Sequence, residues 1–263
     1  MNFITKSSLV FAITALFVAC GSSKIDQQVV LTETEPFRIK MSKVTNITPQ
    51  ILVFTKTAGF RHKSIEKGVE TLKEMGVQNN FGITQTEDSL VFTTANLKKY
   101  QLVLFLNTTG DVLGEEQEKA VENYIQQGGS FLGVHSATDT EYKWPWYGKM
   151  VGAYFENHPK QQEAKINVFI NNHPATKGLK NPWSHFDEWY NFKNLNPDVN
   201  VLLKLDESSY EGGTNGDYHP IAWFHEYDGG RAFYTGLGHT EAAYDDADFR
   251  QHLLGGIEWC LGR

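Results

Sequence analysis

"GGSFLGVHSATDT", Gly128 to Thr140, changes character halfway along. Ser130 to Val134 is a short apolar run, as expected of a strand buried on both faces. Five polar side chains then crowd its exit: His135, Ser136, Thr138, Asp139 and Thr140. A buried strand that empties into polar residues, just after the Gly128-Gly129 stop of a helix, is the pattern of a βα junction in a parallel sheet. Loops at the carboxyl ends of such strands collect ligands. "GVHSA" also has the small-residue setting of a sharp strand-to-helix turn that presents one side chain, and here that side chain is His135.

The same pattern recurs upstream. "ILVFT" (Ile51 to Thr55) and "LVLFLNT" (Leu102 to Thr108) are continuous β-rich apolar runs, and a weaker strand lies around Phe81 to Thr86. Ser64 stands at the N-cap of a helix carrying Ile65, Val69, Leu72 and Met75 at helical spacing, which Gly76 ends. Glu115, Glu116 and Glu118 occupy the first turn of the next helix, where carboxylates suit the macrodipole, and Ala120, Val121, Tyr124 and Ile125 form its apolar face. Alternating strands and amphipathic helices predict an α/β fold, a mostly parallel sheet flanked by helices.

The second half is richer in strands: "AKINVFI", "NVLLKLD", "PIAWFHEY" and "RAFYTGL", the last two separated by the Asp228-Gly229-Gly230 turn, with a closing helix through Phe249, Leu253 and Ile257. No linker divides the halves, so residues 49–263 read as one elaborated domain. The exits "TKTAGFRH", "NTTGD" and "HSATD" are expected to share one edge of the sheet.

The 263 residues, 40% hydrophobic and 13% aromatic, suffice for a sizeable core. A net charge of −7 without any Lys/Arg run speaks against a nucleic-acid partner. Lys6 followed by the apolar Leu9 to Ala19 forms a leader over residues 1–19, too short to span a bilayer. Ala19-Cys20-Gly21 at its end resembles a bacterial lipoprotein signal. That resemblance implies export, lipid modification of Cys20, and anchoring of the mature chain to the cell-envelope membrane by a tether over 20–48. Cys260 is then the one remaining cysteine, and its apolar helix makes it a small core hydrophobe.

Several residue types at these exits can carry chemistry. Arg61 and His62 follow the first strand, and an arginine suits a carboxylate, a phosphate or a polarised carbonyl. Asp139 can orient His135 or bond a hydroxyl. Ser136 is a poor nucleophile for its neighbour His135, because adjacent strand residues point to opposite faces. "HFDEWYNF" brings together Asp187, Glu188 and Tyr190, carboxylates and an aromatic face suited to a polar small molecule. His158 sits among aromatics in "YFENHP", His225 lies within a strand, and His173 reads as structural. His239 and Thr240 follow Gly236 and Gly238, a backbone built for close approach. No local metal motif occurs, but His62, His135, His158 and His239 can assemble a divalent site, such as zinc, from distant positions.

"TKTAGFRHKSI", "GVHSATDT", "DEWYNF" and "HPIAWFHEYDGGRAFYTGLGHT" together resemble the ThuA-like proteins, named for trehalose utilisation, over Ile51 to Gly262. The resemblance implies a class I glutamine amidotransferase-like (flavodoxin-like) α/β fold and a role in carbohydrate metabolism, in pathways handling 3-keto sugars. In amidotransferases of that fold the elbow residue is a cysteine; with His135 there, glutaminase activity is not expected. The resulting expectation is a saccharide-acting protein with His135 or His239 as acid and base and Arg61 holding the oxygen that gains charge. His62, Ser136, Asp139, His158, Asp187, Glu188, Tyr190, His225 and Thr240 would contact the sugar. A sugar-binding lipoprotein without turnover and a metal-assisted glycoside hydrolase are the alternatives. The sequence leaves the oligomeric state open.

Overall fold

The computed structural model describes residues 48–263. The leader over 1–19, the lipidation site Cys20 and all of the 20–48 tether except Thr48 lie outside the described residues.

In chain order the strands and helices are β1 (Gln50–Phe54), α1 (Ile65–Asn79), β2 (Gly82–Thr86), α2 (Thr94–Leu97), β3 (Leu102–Leu106), α3 (Glu115–Gln126), β4 (Ser130–Val134), α4 (Pro145–Val151), β5 (Tyr154–Asn157), β6 (Gln162–Val168), β7 (Trp183–Asp187), β8 (Asn191–Lys193), β9 (Asn200–Asp206), β10 (His219–Tyr227), β11 (Gly230–Thr235) and α5 (Ala247–Cys260). Nine strands form one sheet in the order β2-β1-β3-β4-β11-β10-β9-β6-β7, and β5 pairs with β8 separately. The first five strands in that order run parallel. From β11 onward every pairing is antiparallel. The sheet is therefore mixed, with a parallel core, and the β-rich second half extends that core instead of forming a layer of its own. The reason is local: Asp228 (φ 47°) and Gly229 (φ 95°) close a tight hairpin that turns β10 straight into β11.

The parallel strands are apolar on both faces because helices cover both. β1, β3 and β4 are buried along nearly their whole length, and Ala120, Val121, Tyr124 and Ile125 of α3 pack onto them as the periodicity requires. Ser64 occupies the N-cap position of α1 but does not cap it. Its Oγ instead donates to the carbonyl of Gly238 and accepts from Asn107 Nδ2, tying two strand exits together. Cys260 is fully packed, and burial raises its thiol pKa.

The strand exits do share an edge. Thr57 bridges Thr109 and Gly110 bridges Thr140 in parallel register, with Ala58 N–H on the Thr109 carbonyl and Gly110 N–H on that of Asp139. β7 runs in the same direction as β11, since three antiparallel steps separate it from β10. Its carboxyl end therefore reaches this edge too.

Candidate functional site

His135 ends β4 in a left-handed conformation (φ 49°), a strained state for a non-glycine residue. It is fully buried, and the Tyr234 hydroxyl donates to its carbonyl at 2.7 Å, fixing the elbow. Its Nδ1 lies 2.9 Å from the Gly236 carbonyl, which can only accept, so Nδ1 carries the proton and Nε2 keeps a lone pair. That lone pair faces His239 Nδ1 at 3.1 Å and Glu188 Oε2 at 3.5 Å. Glu188 Oε2 and His239 Nδ1 are 3.1 Å apart. The His62 ring stands edge-on to both His135 and His239, with centroids 4.9 Å from each.

His62, His135, His239 and Glu188 thus offer one donor atom apiece, all within 4.8 Å of one another. They leave four strands: β1, β4, β11 and β7. Each imidazole is also held at its far nitrogen. Gly236 O holds His135, Ser136 Oγ lies 3.4 Å from His62 Nδ1, and the Gln161 amide lies 2.7 Å from His239 Nε2. Burial, reinforced by the neighbouring imidazoles, drives the His62 pKa down to about 2, so its lone pair stays available. Burial pushes the Glu188 carboxyl up, but the His135 and His239 imidazoles beside it outweigh that and hold the group ionised, well below its usual range.

This arrangement fits a divalent metal. Zinc with bonds of about 2.0–2.1 Å to nitrogen and oxygen sets tetrahedral ligand edges of roughly 3.3–3.4 Å. The three measured edges, 3.1, 3.1 and 3.5 Å, bracket that value. Outer partners on the far imidazole nitrogens are the usual companions of ligating histidines.

The structure brings only part of the expected site together. Of the four expected metal ligands, His158 stands outside the tight set and Glu188 takes its place. His158, exposed at the rim, keeps Nδ1 3.3 Å from Glu188 Oε1 and 2.8 Å from the Pro159 carbonyl. Tyr190 is buried and packs at a tilt against His135 at 4.3 Å and against Phe155 at 4.3 Å between ring centroids. Asp139 does not orient His135; its Oδ1 accepts the Tyr142 hydroxyl at 2.6 Å, and burial raises its pKa. Ser136 is sealed in and spent on His62.

Four of the expected residues stand apart from the cluster. Arg61 points away from the cluster and pairs with Glu66 at 2.6 Å and Glu87 at 2.8 Å, because two exposed carboxylates lie nearer than any site oxygen. Asp187 is fully buried, its carboxylate saturated by the backbone N–H groups of Glu188, Gly238, His239 and Thr240. Thr240 is a turn residue, its Oγ1 accepting from Ala243 N–H. His225 pairs with Ala232, which pairs with Phe131 at the beginning of β4, so it lies toward the opposite edge of the sheet. Two rim residues escaped the sequence reading: Gln161, and Phe60, which is 67% exposed with its ring 5.0 Å from His62. Phe60 lies beside His62 in the first strand's exit loop, and Gln161 follows His158 closely; neither type signals chemistry by itself.

Residues 50–260 match the sequence model of the ThuA family, described as trehalose utilisation. Among solved structures, a ThuA-like protein from Bacteroides uniformis aligns with a TM-score of 0.69 at 22% identity, over 84% of this chain and 94% of that one. A ThuA-like protein from Parabacteroides merdae aligns with a TM-score of 0.68 at 23% identity, over 82% and 90%. A β-galactosidase from Bacillus circulans aligns with a TM-score of 0.54 at 15% identity, over 82% of this chain and 31% of that one. At these identities the likeness is one of fold. No curated protein sequence matches the chain. The match over 50–260 carries the assignment: the chain belongs to the ThuA family.

Proposed function

We propose that this protein is a carbohydrate-acting enzyme whose site is organised by a divalent metal, and that its substrate is a sugar, keto-sugar or glycoside. The observation that carries the proposal is the convergence of His62, His135, His239 and Glu188 donor atoms, with every imidazole anchored from behind. A divalent ion held by these four residues would supply Lewis acidity toward an oxygen of the substrate.

The chain's own residues divide the remaining work. His135 is buried and turned inward, which suits a ligand better than the free acid/base expected from its place at the elbow. Proton transfer falls to the rim. His158 Nδ1 faces two acceptors, Pro159 O and Glu188 Oε1, which leaves Nε2 to exchange protons with a bound hydroxyl. Asp139, its pKa raised by burial, is a second group able to hold a proton nearby. Phe60 and Phe155 offer apolar faces for the C–H side of a sugar ring; His62 stands against the first and Tyr190 backs the second. Gln161 can present either amide end to His239, so it can accept Nε2–H whenever Nδ1 is engaged.

The test is elemental analysis of protein purified without chelator, followed by assays on trehalose-type and 3-keto glycosides before and after metal removal. The expected result is bound metal and turnover that a chelator abolishes and added metal restores. Full activity of metal-free protein removes the metal. Saturable sugar binding without product from any glycoside would make the chain a binding protein instead.

The amino-terminal pattern supports export and attachment of the mature chain to the cell envelope through lipid on Cys20. Fatty-acid labelling in cells, lost in Cys20→Ser, is the corresponding check.

A further inference from the structure

A cleft of about 530 Å3 opens toward the sheet edge away from the metal-type cluster, between α4, the β8–β9 connection and the end of β10. That size lies within the range of small-molecule sites, about 300–1,000 Å3. His225, expected from sequence to touch substrate, lines this cleft. It is buried, and its Nε2–H donates to the Met150 carbonyl at 2.8 Å. Nδ1 is then the nitrogen with the lone pair. It has no hydrogen-bond partner among the described residues, and the ring lines the cleft.

The walls around it are preformed. The Tyr154 hydroxyl donates to the carbonyls of Glu141 and Trp144, and the Tyr227 hydroxyl to that of Trp146, so both rings are pinned from behind. Gly148 in α4 is what lets the Tyr154 ring lie flush, since a Cβ there would fall 2.4 Å from it. Pro145, Leu195 and Pro197 complete the apolar lining. The Asp198 carboxylate and the Lys149 ammonium stand at the polar side, and neither forms an ion pair among the described residues. Pinned aromatic and proline faces, two acceptors in His225 Nδ1 and Asp198, and one cationic donor match a ring with apolar C–H faces and several hydroxyls.

We infer that this cleft is a second binding site, for a polyhydroxylated small molecule of monosaccharide size, separate from the metal-type cluster. Asp198 and Glu226 disfavour a phosphate there, and the apolar walls disfavour a bare cation.

The test is a titration of the 15N-histidine-labelled full chain with D-glucose, D-galactose, D-mannose and D-xylose at millimolar concentration. The His225 ring signals are followed in wild type, Glu188→Gln and Asp198→Ala. The expected result is a saturable shift of His225 with at least one of the four, unchanged in Glu188→Gln and weakened about tenfold or more in Asp198→Ala, an exposed substitution that spares the core. His225 signals that stay fixed with all four sugars overturn the inference. So do shifts that appear only together with those of His62 and His239 and vanish in Glu188→Gln. A His225 response in protein that binds no metal and turns over no glycoside would leave this inference standing while the proposed reaction fails.

Discussion

Asp187 and Glu188 are consecutive residues with opposite duties. The Asp187 carboxylate accepts Gly238 N–H at 2.8 Å, His239 N–H at 3.1 Å and Thr240 N–H at 3.2 Å, while Glu188 Oε2 meets the His239 side chain at 3.1 Å. One dipeptide at the end of β7 therefore fixes both the backbone and the imidazole of the loop after β11. Gly238 makes this possible, because its φ of 102° belongs to the left-handed region that glycine adopts freely.

Asp187→Asn should consequently be costly despite being isosteric. An amide offers one acceptor oxygen where four N–H groups converge, and its own N–H groups oppose them. The expected loss is on the order of 3 kcal/mol in denaturant unfolding, with weaker metal binding because His239 loosens. A change below about 1 kcal/mol would show that the loop holds itself.

Glu188→Gln should spare the fold but cut zinc affinity by more than about 100-fold, since loss of an outer partner alone costs about 10–100-fold. Calorimetric titration of chelator-stripped protein reads this directly. Thermal unfolding gives a second readout: zinc at a thousandfold excess over Kd should add about 4 kcal/mol to wild type and far less to the variant.

Arg61→Ala should leave turnover and metal affinity unchanged and lower stability by less than about 1 kcal/mol, because both of its ion pairs are exposed. Kinetics on the metal-loaded protein decide the point. A hundredfold fall in kcat would return Arg61 to the reacting centre.

The fold should weaken in mild acid through His252. Its Nδ1–H donates to Ala175 O at 2.8 Å, and Nε2 is buried without a partner. Burial depresses its pKa to about 4. The unfolded chain, titrating near 6.5, then binds the proton more readily than the folded one, so stability is full above pH 6.5 and falls as pH drops toward 4. The share of this one group is about 2 kcal/mol by pH 5. His173, lowered to about 4 by burial, adds in the same direction. Urea unfolding between pH 7 and 5 measures the slope, and His252→Met should flatten it.

What could be read from sequence depended on whether polarity and burial agreed. β1, β3 and β4 are apolar along nearly their whole length, so they and their shared edge were legible, as was the His135 elbow. β7 was not. Its inward residues are Trp183, His185 and Asp187, and its outward ones include the exposed Phe186, which inverts the ordinary alternation. His185 is buried there between Asp187 Oδ2 at 3.6 Å and Asp246 Oδ2 at 3.3 Å. Without that strand, nothing placed Glu188 at the edge with the imidazoles, and His158 stood in for it. Arg61 failed for another reason: sequence adjacency to His62 says nothing about which carboxylates a long flexible side chain will meet.

The strand order carries a kinetic consequence. Along the sheet β7 lies five positions beyond β4, yet Glu188 comes within 3.5 Å of His135, so the far strand must curl back over the first half. Contacts that close such large loops are among the last to form and the first to open. An ion held by His62, His135, His239 and Glu188 would act as a clasp on that closure: refolding would proceed at much the same speed with or without it, while unravelling would slow.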